Sequence, residues 1–491
     1  MKILLISAGS YYVMQKTVIP LGLLSIATHL KNNGHTVKIV DRSVENIRIE
    51  KILNSFEPDI VGISSLTFGS FNDALKVSGL VKEQDIPVVW GGQIPSLVPE
   101  IVLKEGCVDC VVMGDGEIAM LELLEAFFCG KPLSEIDGIA YIENGEIKIT
   151  KPRELADLSL FPIIDWSFVD PSKYFIRNVS CKRTLHIYSS KGCPGQCTYC
   201  YSPCFSRGEW RPRPMEYIIS EIKYLVENFD LDGIYFADDL ISPNRDYLSL
   251  FCSSLKASGI EFFWGCNMRA DTCTREELQM MYDSGCRWIL FGIESGSKER
   301  QKLIKKRLDL DKAGITVDWC REIGILTTTS FIVGYPDETV EELKETVSYM
   351  LALNSDVKVT GTYGVIPKSG LYDYLIKNNR IEAPQSYSEW KKLKWLDKLG
   401  KNFSAVPAID LKVVVNWFFL MIIRTKSDSK SNNSHFWAKR LAGQTFDLMK
   451  RGTVKSFILM ALSGMQLIKI LFYAVMFPKI RKKYGLKRYS D

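Results

Sequence analysis

The chain reads as an α/β protein built from two consecutive strand–helix repeats, followed by an apolar helical region. Three observations carry this reading. Short apolar strands alternate with 3.6-residue helical patterns over residues 1–130. The alternation restarts at 184 and runs for six units, and after about 395 it is lost. At 491 residues the chain is long for one core, so two or three domains are expected. The expected boundaries are 1–135, a linker at 136–183, a second repeat at 184–395 and a helical region at 396–491.

The first repeat holds the strands KILLISA (2–8), TVKIVDRS (36–43), DIVGISSLT (59–67), PVVWGG (87–92) and CVDCVVMGD (107–115). Between them lie segments such as LGLLSIATHLKNNG (21–34), amphipathic and stopped by Gly. Such an order predicts a doubly wound, Rossmann-like parallel sheet, whose ligands sit beyond the carboxyl ends of the strands. Ser64, Ser65, Gly91, Gly92 and Gly114 fall there. No G-x-G-x-x-G follows the first strand, which counts against a nicotinamide or flavin dinucleotide. The N-terminus carries one Lys but neither a long apolar run nor a small-residue cleavage site. It reads as a strand and not a signal peptide, so a cytoplasmic location is expected.

The linker opens with IAYIENGEIKIT, an Asn-Gly hairpin signal, then turns rich in Pro and aromatics. The second repeat holds TLHIYSSKG (184–192), GIYFADD (233–239), EFFWGCNMR (261–269), WILFGIES (288–295), LTTTSFIVGYP (326–336) and KVTGTYGVIP (358–367). Six β/α units predict a partial (β/α)6 barrel, with chemistry at the carboxyl ends of its strands. Cys193, Asp238, Asp239, Arg269, Glu294 and Gly334 stand at those ends. For any one of them ordinary turn chemistry is the competing explanation.

The motif GCPGQCTYC at 192–200 spaces Cys193, Cys197 and Cys200 as C-x3-C-x2-C. The chain has thirteen cysteines, and in a reducing compartment regular spacing points to metal ligands more than to disulfides. Its four histidines are scattered, which counts against a His-rich zinc site. A closed [4Fe–4S] site takes four thiolates, so three on one loop leave one iron open. A structural zinc site, with Cys204 as a fourth ligand, is the competing reading. Cys107 and Cys110 form the only other C-x2-C pair, but inside an apolar strand they read as buried thiols.

This motif, placed just after the first strand of a six-unit α/β repeat, resembles the radical S-adenosylmethionine (SAM) superfamily. The resemblance implies a [4Fe–4S] cluster on Cys193, Cys197 and Cys200, with SAM on the open iron and a 5′-deoxyadenosyl radical as the reactive species. It further implies SAM contacts from Tyr199, from FADD (Asp238, Asp239), from Arg269, from GIES (Glu294, Ser295) and from the turn at Gly334. No residue is singled out as the catalytic acid or base.

The preceding doubly wound domain resembles the cobalamin-binding subclass of that superfamily. Four runs carry the match: VIPLGLLSIATHLKNNGHTVKIVD (18–41), DIVGISSLT (59–67), VVWGGQIPSLVPE (88–100) and VMGDGE (112–117). The resemblance implies a cobalamin near Leu21, Gly22, Ser64, Ser65, Gly91, Gly92, Gly114 and Glu117. The Asp-x-His-x-x-Gly of many cobalamin proteins is missing from residues 1–130, and His35 reads as a loop residue. A protein lower ligand to cobalt is therefore not expected.

The function implied is cobalamin-dependent C-methylation of an unactivated carbon. A radical cyclase, rearrangement or C–C coupling enzyme, with or without cobalamin, is the first alternative, since some members of the subclass keep the N-terminal domain without binding cobalamin. A non-catalytic scaffold with a structural metal is the second. Partners implied are a small-molecule or lipid-like substrate and an electron donor such as flavodoxin or ferredoxin. Nucleic acid is not expected, since no basic patch with interleaved aromatics occurs in the first 400 residues. Tyr363, Tyr372 and Trp390 are aromatic candidates for substrate contact, with packing the plainer reading.

From Lys430 onward thirteen Lys or Arg face only Asp447 and Asp491, a net of +11 that leaves −6 on the rest of a +5 chain. The segments 412–424 and 456–478 are strongly apolar, the second broken by a stripe of Ser463, Gln466 and Lys469. Two readings compete: a helical subdomain on the barrel, or peripheral membrane contact through 456–488, with Lys479, Arg481, Lys482 and Lys483 toward anionic headgroups.

Overall fold

The computed structural model describes residues 1–9, 18–178, 180–393 and 401–415. The first sheet contains β1 (Lys2–Ser7), β2 (Thr36–Asp41), β3 (Ile60–Ser64), β4 (Val88–Gly91) and β5 (Cys110–Val112), parallel in the order β2-β1-β3-β4-β5. Ile3 and Leu5 pack into one core while Leu4 and Ile6 pack into another, so both faces of the sheet are covered. The strand order reverses between β1 and β3, where such sheets open a crevice beyond the strand ends. Ser7, Ser64 and Gly91 lie side by side in register at this edge.

The Asn-Gly hairpin is more than linker. Its strands β6 (Ile139–Glu143) and β7 (Glu146–Ile149) add antiparallel to β5 and extend the sheet to seven strands. Asn144 and Gly145 both have positive φ, 51° and 81°, as the tight turn of a two-residue hairpin requires. Beyond it, residues 152–178 strap the two sheets together. Asp157, Asp165 and Asp170 each accept a backbone N–H two residues on, starting a short turn. Tyr174 donates to Asp41 at 2.9 Å, and Lys31 pairs with Asp165 at 2.6 Å.

The second sheet bears out the six-unit reading. It runs β15-β14-β13-β12-β11-β8, all parallel, from β8 (Thr184–Ile187), β11 (Gly233–Phe236), β12 (Phe263–Met268), β13 (Cys286–Glu294), β14 (Leu326–Val333) and β15 (Val357–Thr362). A short antiparallel pair, β9 (Ser190–Gly192) and β10 (Trp210–Pro212), closes around the cysteine loop. Cys110 is buried in the core of the first sheet, in keeping with a free thiol.

After β15 the chain returns to the first domain. Tyr387 stacks on Phe71 at 4.0 Å, Trp390 stacks on Phe68 at 5.1 Å, and Tyr372 stacks on Trp390 at 5.7 Å. Tyr372 and Trp390 are therefore packing residues that tie the two sheets. Residues 408–415 are helical; the rest of 412–424 and the whole of 456–488 lie outside the described residues. Among the described residues no helix is long and apolar enough to cross a membrane.

The strap is anchored by one buried ion pair. Arg213 and Glu221 meet at 2.6 Å with side chains 4% and 0% exposed, and Trp166 of the strap donates to the same carboxylate at 3.1 Å. Removing one partner leaves the other charge buried and uncompensated. Glu221→Ala is expected to lower unfolding stability by about 3–5 kcal/mol in urea titrations. A loss below about 1 kcal/mol would mean Arg213 finds water or another acceptor.

Candidate cluster and cofactor site

The cysteine loop leaves β9 and is pinned at its centre. Thr198 donates to the Ile304 carbonyl at 3.0 Å and accepts from the Leu371 N–H at 2.8 Å. A Cβ placed on Gly195 would lie 3.3 Å from the Cys193 sulfur and 3.8 Å from the Cys197 sulfur, so only Gly leaves these thiols free to converge. The Gly195 N–H points at Cys193 Sγ and the Ser202 N–H at Cys200 Sγ, both at 3.4 Å. Backbone donors aimed at sulfur suit thiolates, and three cysteines on one loop would leave one iron of a [4Fe–4S] cluster open. As the chain stands, no three such side chains among the described residues converge into a metal-binding group. Burial pushes the Cys193 thiol up and the Cys200 thiol to about 12, so iron has to displace protons there. Cys204 is turned away, donating to the Lys368 carbonyl.

Around this loop the strand-end residues divide into two sets. Tyr199 is half-buried beside Lys306, whose ammonium lies 3.4 Å from the Tyr199 hydroxyl and 3.3 Å from Glu294. Glu294 holds this place with φ of +70°, at a shift in the β13–β14 register. Gly292 makes the room: a Cβ there would sit 2.5 Å from the Glu294 carboxylate and 2.9 Å from Lys306 Nζ. Asp239 is exposed and accepts from Tyr201 at 2.7 Å and Ser202 at 3.2 Å, facing the cysteine loop. Arg269 is held by Asp271 at 2.8 Å and by the Lys306 carbonyl at 3.1 Å.

The second set has turned inward. Asp238 is 1% exposed and accepts from the backbone N–H and hydroxyl groups of both Ser189 and Ser190; burial pushes its carboxyl up to about 6. Ser295 is fully buried against the Thr346 hydroxyl at 2.9 Å. Gly334, at φ +80°, donates to Glu338, which burial pushes up to about 7.

On the first sheet, a Cβ on Gly22, Gly91 or Gly114 would meet nothing within 4 Å, so all three border open space. Gly92 has φ +97°, and a Cβ there would fall 3.0 Å from the Ser64 hydroxyl and the Ser65 carbonyl. Ser65 is fully buried on Ser70. Leu21 opens the helix Leu21–Asn32, and Ser64 ends β3. The crevice therefore has open, small-residue walls of the kind a corrin ring requires. His35 precedes β2, at the opposite end of the sheet.

Glu117 has a different place. It accepts from Ser25 at 2.6 Å and from Lys191 at 3.0 Å, and Lys191 also meets Asp115 at 3.0 Å. Arg211 of β10 completes the group at 2.9 Å from Asp115. This clamp joins the loop after β5 to the strand two residues before Cys193. Sequence reasoning passed over Lys191, Arg211, Asp115 and Lys306. The first stood in view, adjacent to the motif, whereas Lys306 lies in a charged helical run with no signal of its own.

A mixed seven-stranded sheet and a parallel six-stranded sheet joined at a three-cysteine loop fit a radical SAM enzyme with a corrinoid-type domain in front. The comparisons agree: residues 187–350 match the family model of the Radical SAM superfamily and residues 13–124 that of the B12 binding domain. An uncharacterized methyltransferase of Pyrococcus horikoshii is 30% identical over 412 residues, 82% of this chain and 88% of that protein. An anaerobic magnesium-protoporphyrin IX monomethyl ester cyclase of Rubrivivax gelatinosus is 28% identical over 370 residues, 72% and 66% of the two chains. The radical SAM methyltransferase TsrM of Kitasatospora setae shares the fold, with TM-score 0.68 and 18% identity over 77% of this chain and 76% of that one. The chain belongs to the cobalamin-dependent radical SAM methyltransferase family, whose cofactors are a [4Fe–4S] cluster, SAM and cobalamin.

The clamp has a pH signature. Burial pushes Asp115 up, but Lys191 and Arg211 outweigh it and hold the carboxyl at about 2, against an ordinary 3.8. A lowered folded value adds stability above the unfolded value and loses it as pH falls toward 2. Urea midpoints of the wild type and Asp115→Asn are expected to differ near neutral pH and to converge on acidification through this window. A gap that persists unchanged to about pH 2 would exclude the charge as its source.

Proposed function

We propose that this chain methylates an unactivated carbon of a small molecule, with the cluster on Cys193, Cys197 and Cys200. Bound there, cluster and SAM supply a hydrogen-abstracting deoxyadenosyl radical, and cobalamin supplies the methyl group. The observation that carries this reading is the clamp of Lys191 on Asp115 and Glu117, which sets the glycine-lined crevice against the cysteine loop. A methyl donor and a radical source must reach the same carbon, and a contact between the two regions supports that arrangement.

The chain's own residues then bind and orient. Lys306 is the cation nearest Tyr199 and is suited to the methionyl carboxylate, with Glu294 as acceptor for an amine or hydroxyl. Asp239 faces the loop as a second acceptor, while Asp238 braces the backbone that leads into it. Gly22, Gly91 and Gly114 would admit the corrin ring, and Ser64 and Gly92 its approach to the sheet edge. Leu21, at the start of its helix, and Ser65, buried on Ser70, belong to the cobalamin side, whereas Ser295 and Gly334, held on Thr346 and Glu338, lie behind the strand ends that would face SAM. The electron would come from a flavodoxin- or ferredoxin-type donor. Ring closure is the second reading, favoured by the likeness to the cyclase of Rubrivivax gelatinosus.

Anaerobically reconstituted protein with SAM, cobalamin and a strong reductant is expected to release both 5′-deoxyadenosine and S-adenosylhomocysteine, followed by mass spectrometry. Cys197→Ala is expected to release no deoxyadenosine. Deoxyadenosine alone would favour ring closure or rearrangement, and neither product from an intact cluster would overturn the radical reading. Gly292→Ala, which forces Glu294 and Lys306 apart, is expected to weaken SAM binding about tenfold in equilibrium dialysis. Unchanged affinity would remove that pair from the SAM site.

A further inference from the structure

The barrel is hollow where such barrels are usually filled. Along its strands the helix-facing positions are closed: Ile187, Phe236, Cys266, Phe291 and Phe331 are at most 1% exposed. Most of the alternate positions, which face the lumen, keep partial exposure, Thr184 at the base of β8 being the buried exception beside the glycines. His186, Tyr235, Trp288, Leu290, Thr328 and Ser330 are half-buried, and Val359 is 36% exposed. A (β/α) barrel interior is ordinarily packed with branched side chains, so this pattern is reversed.

The lumen has a floor. His186, Tyr235, Gly265, Trp288 and Leu326 stand in one register across five strands. The Trp288 indole lies against Gly265, where a Cβ would fall 2.1 Å from its nitrogen, so one ring face covers the strand. Tyr235 stacks parallel to Trp288 at 12° and 6.4 Å, and His186 lies 5.3 Å from Tyr235. Arg269 stands four residues beyond Gly265, just past the end of β12, about 13 Å higher at strand rise. Between the two levels the lining is Asn267, Leu290, Thr328 and Val357, without a charged side chain. At the upper rim Arg269 is paired with Asp271 and Lys306 with Glu294, while Asp239 is held by the Tyr201 and Ser202 hydroxyls.

Building on the proposed radical chemistry, in which the substrate enters the barrel, we infer that this substrate presents a planar, uncharged group that stacks on Trp288. The flat aromatic floor favours a π-system over a flexible chain. A charged group would be desolvated there with no counter-ion among the described residues. Thr328, Ser330 and Asn267 can orient a neutral polar substituent, and the depth places the reacting carbon near the rim, beside Glu294 and the cysteine loop.

The test uses reconstituted full-length protein and the neutral planar fluorophore 6-propionyl-2-dimethylaminonaphthalene, with 8-anilinonaphthalene-1-sulfonate as its charged counterpart. The neutral probe is expected to bind saturably with a blue-shifted emission, and the sulfonate not to displace it. Thr328→Phe fills the middle of the lumen and is expected to weaken probe binding at least about tenfold, with the cluster spectrum retained. Val359→Trp, on the exposed edge strand, repeats the block should Thr328→Phe fail to fold. Binding that survives both blocks, absence of saturable binding to the wild type, or equal binding of the sulfonate would overturn the inference. Deoxyadenosine release from the same preparations reads the radical chemistry separately, so either idea can fail alone.

Discussion

The rest of the structure depends on Lys191. Its ammonium is buried between Asp115 and Glu117, and it precedes the first cluster cysteine by two residues. Burial alone would push the lysine's pKa down, but the two carboxylates hold it above its ordinary value. One side chain thus couples the two sheets at the points where their chemistry lies. Ion pairs in buried positions contribute little to stability, because desolvation offsets attraction. They do impose geometry, and here the geometry is what a two-cofactor reaction needs.

The same economy recurs around the cysteine loop. Acidic side chains at strand ends are shared between holding the loop and facing the ligand. Asp238 accepts from four groups of Ser189 and Ser190, which lead directly into β9, while its neighbour Asp239 stays exposed beside the thiols. Glycine has a corresponding role on the apolar side. Gly292 admits the Glu294–Lys306 pair, Gly265 admits the Trp288 ring, and Gly195 keeps two sulfurs in reach of each other. Each is a site where a methyl group would displace a functional atom and not merely crowd the core.

Packing between the halves is correspondingly redundant. The strap at 152–178 reaches Asp41 and Glu221, and the segment after β15 stacks Tyr387 and Trp390 on Phe68 and Phe71. Two covers on separate faces resist shear between the sheets, leaving the clamp to set the fine position of the cysteine loop.

Much of the fold was legible in the sequence because it rests on periodicity. Apolar strands alternating with amphipathic helices dictate two parallel sheets, since each strand buries both faces and each helix one. The cluster cysteines were legible for a related reason: ligands crowded on one loop are local in sequence. What periodicity does not carry is which polar strand-end residue faces the ligand. Asp238 and Asp239 are adjacent and chemically identical, and only the path of β9 decides that one is buried and the other exposed. Glu117 and Lys191 are 74 residues apart, and Lys306 reaches Glu294 only because β13 and the helix after it fold back over Gly292. The sequence by itself determined the sheets, the cysteine loop and the family. The tertiary structure decided the clamp, the division of acids and the hollow lumen, because those depend on contacts between segments that no local pattern links.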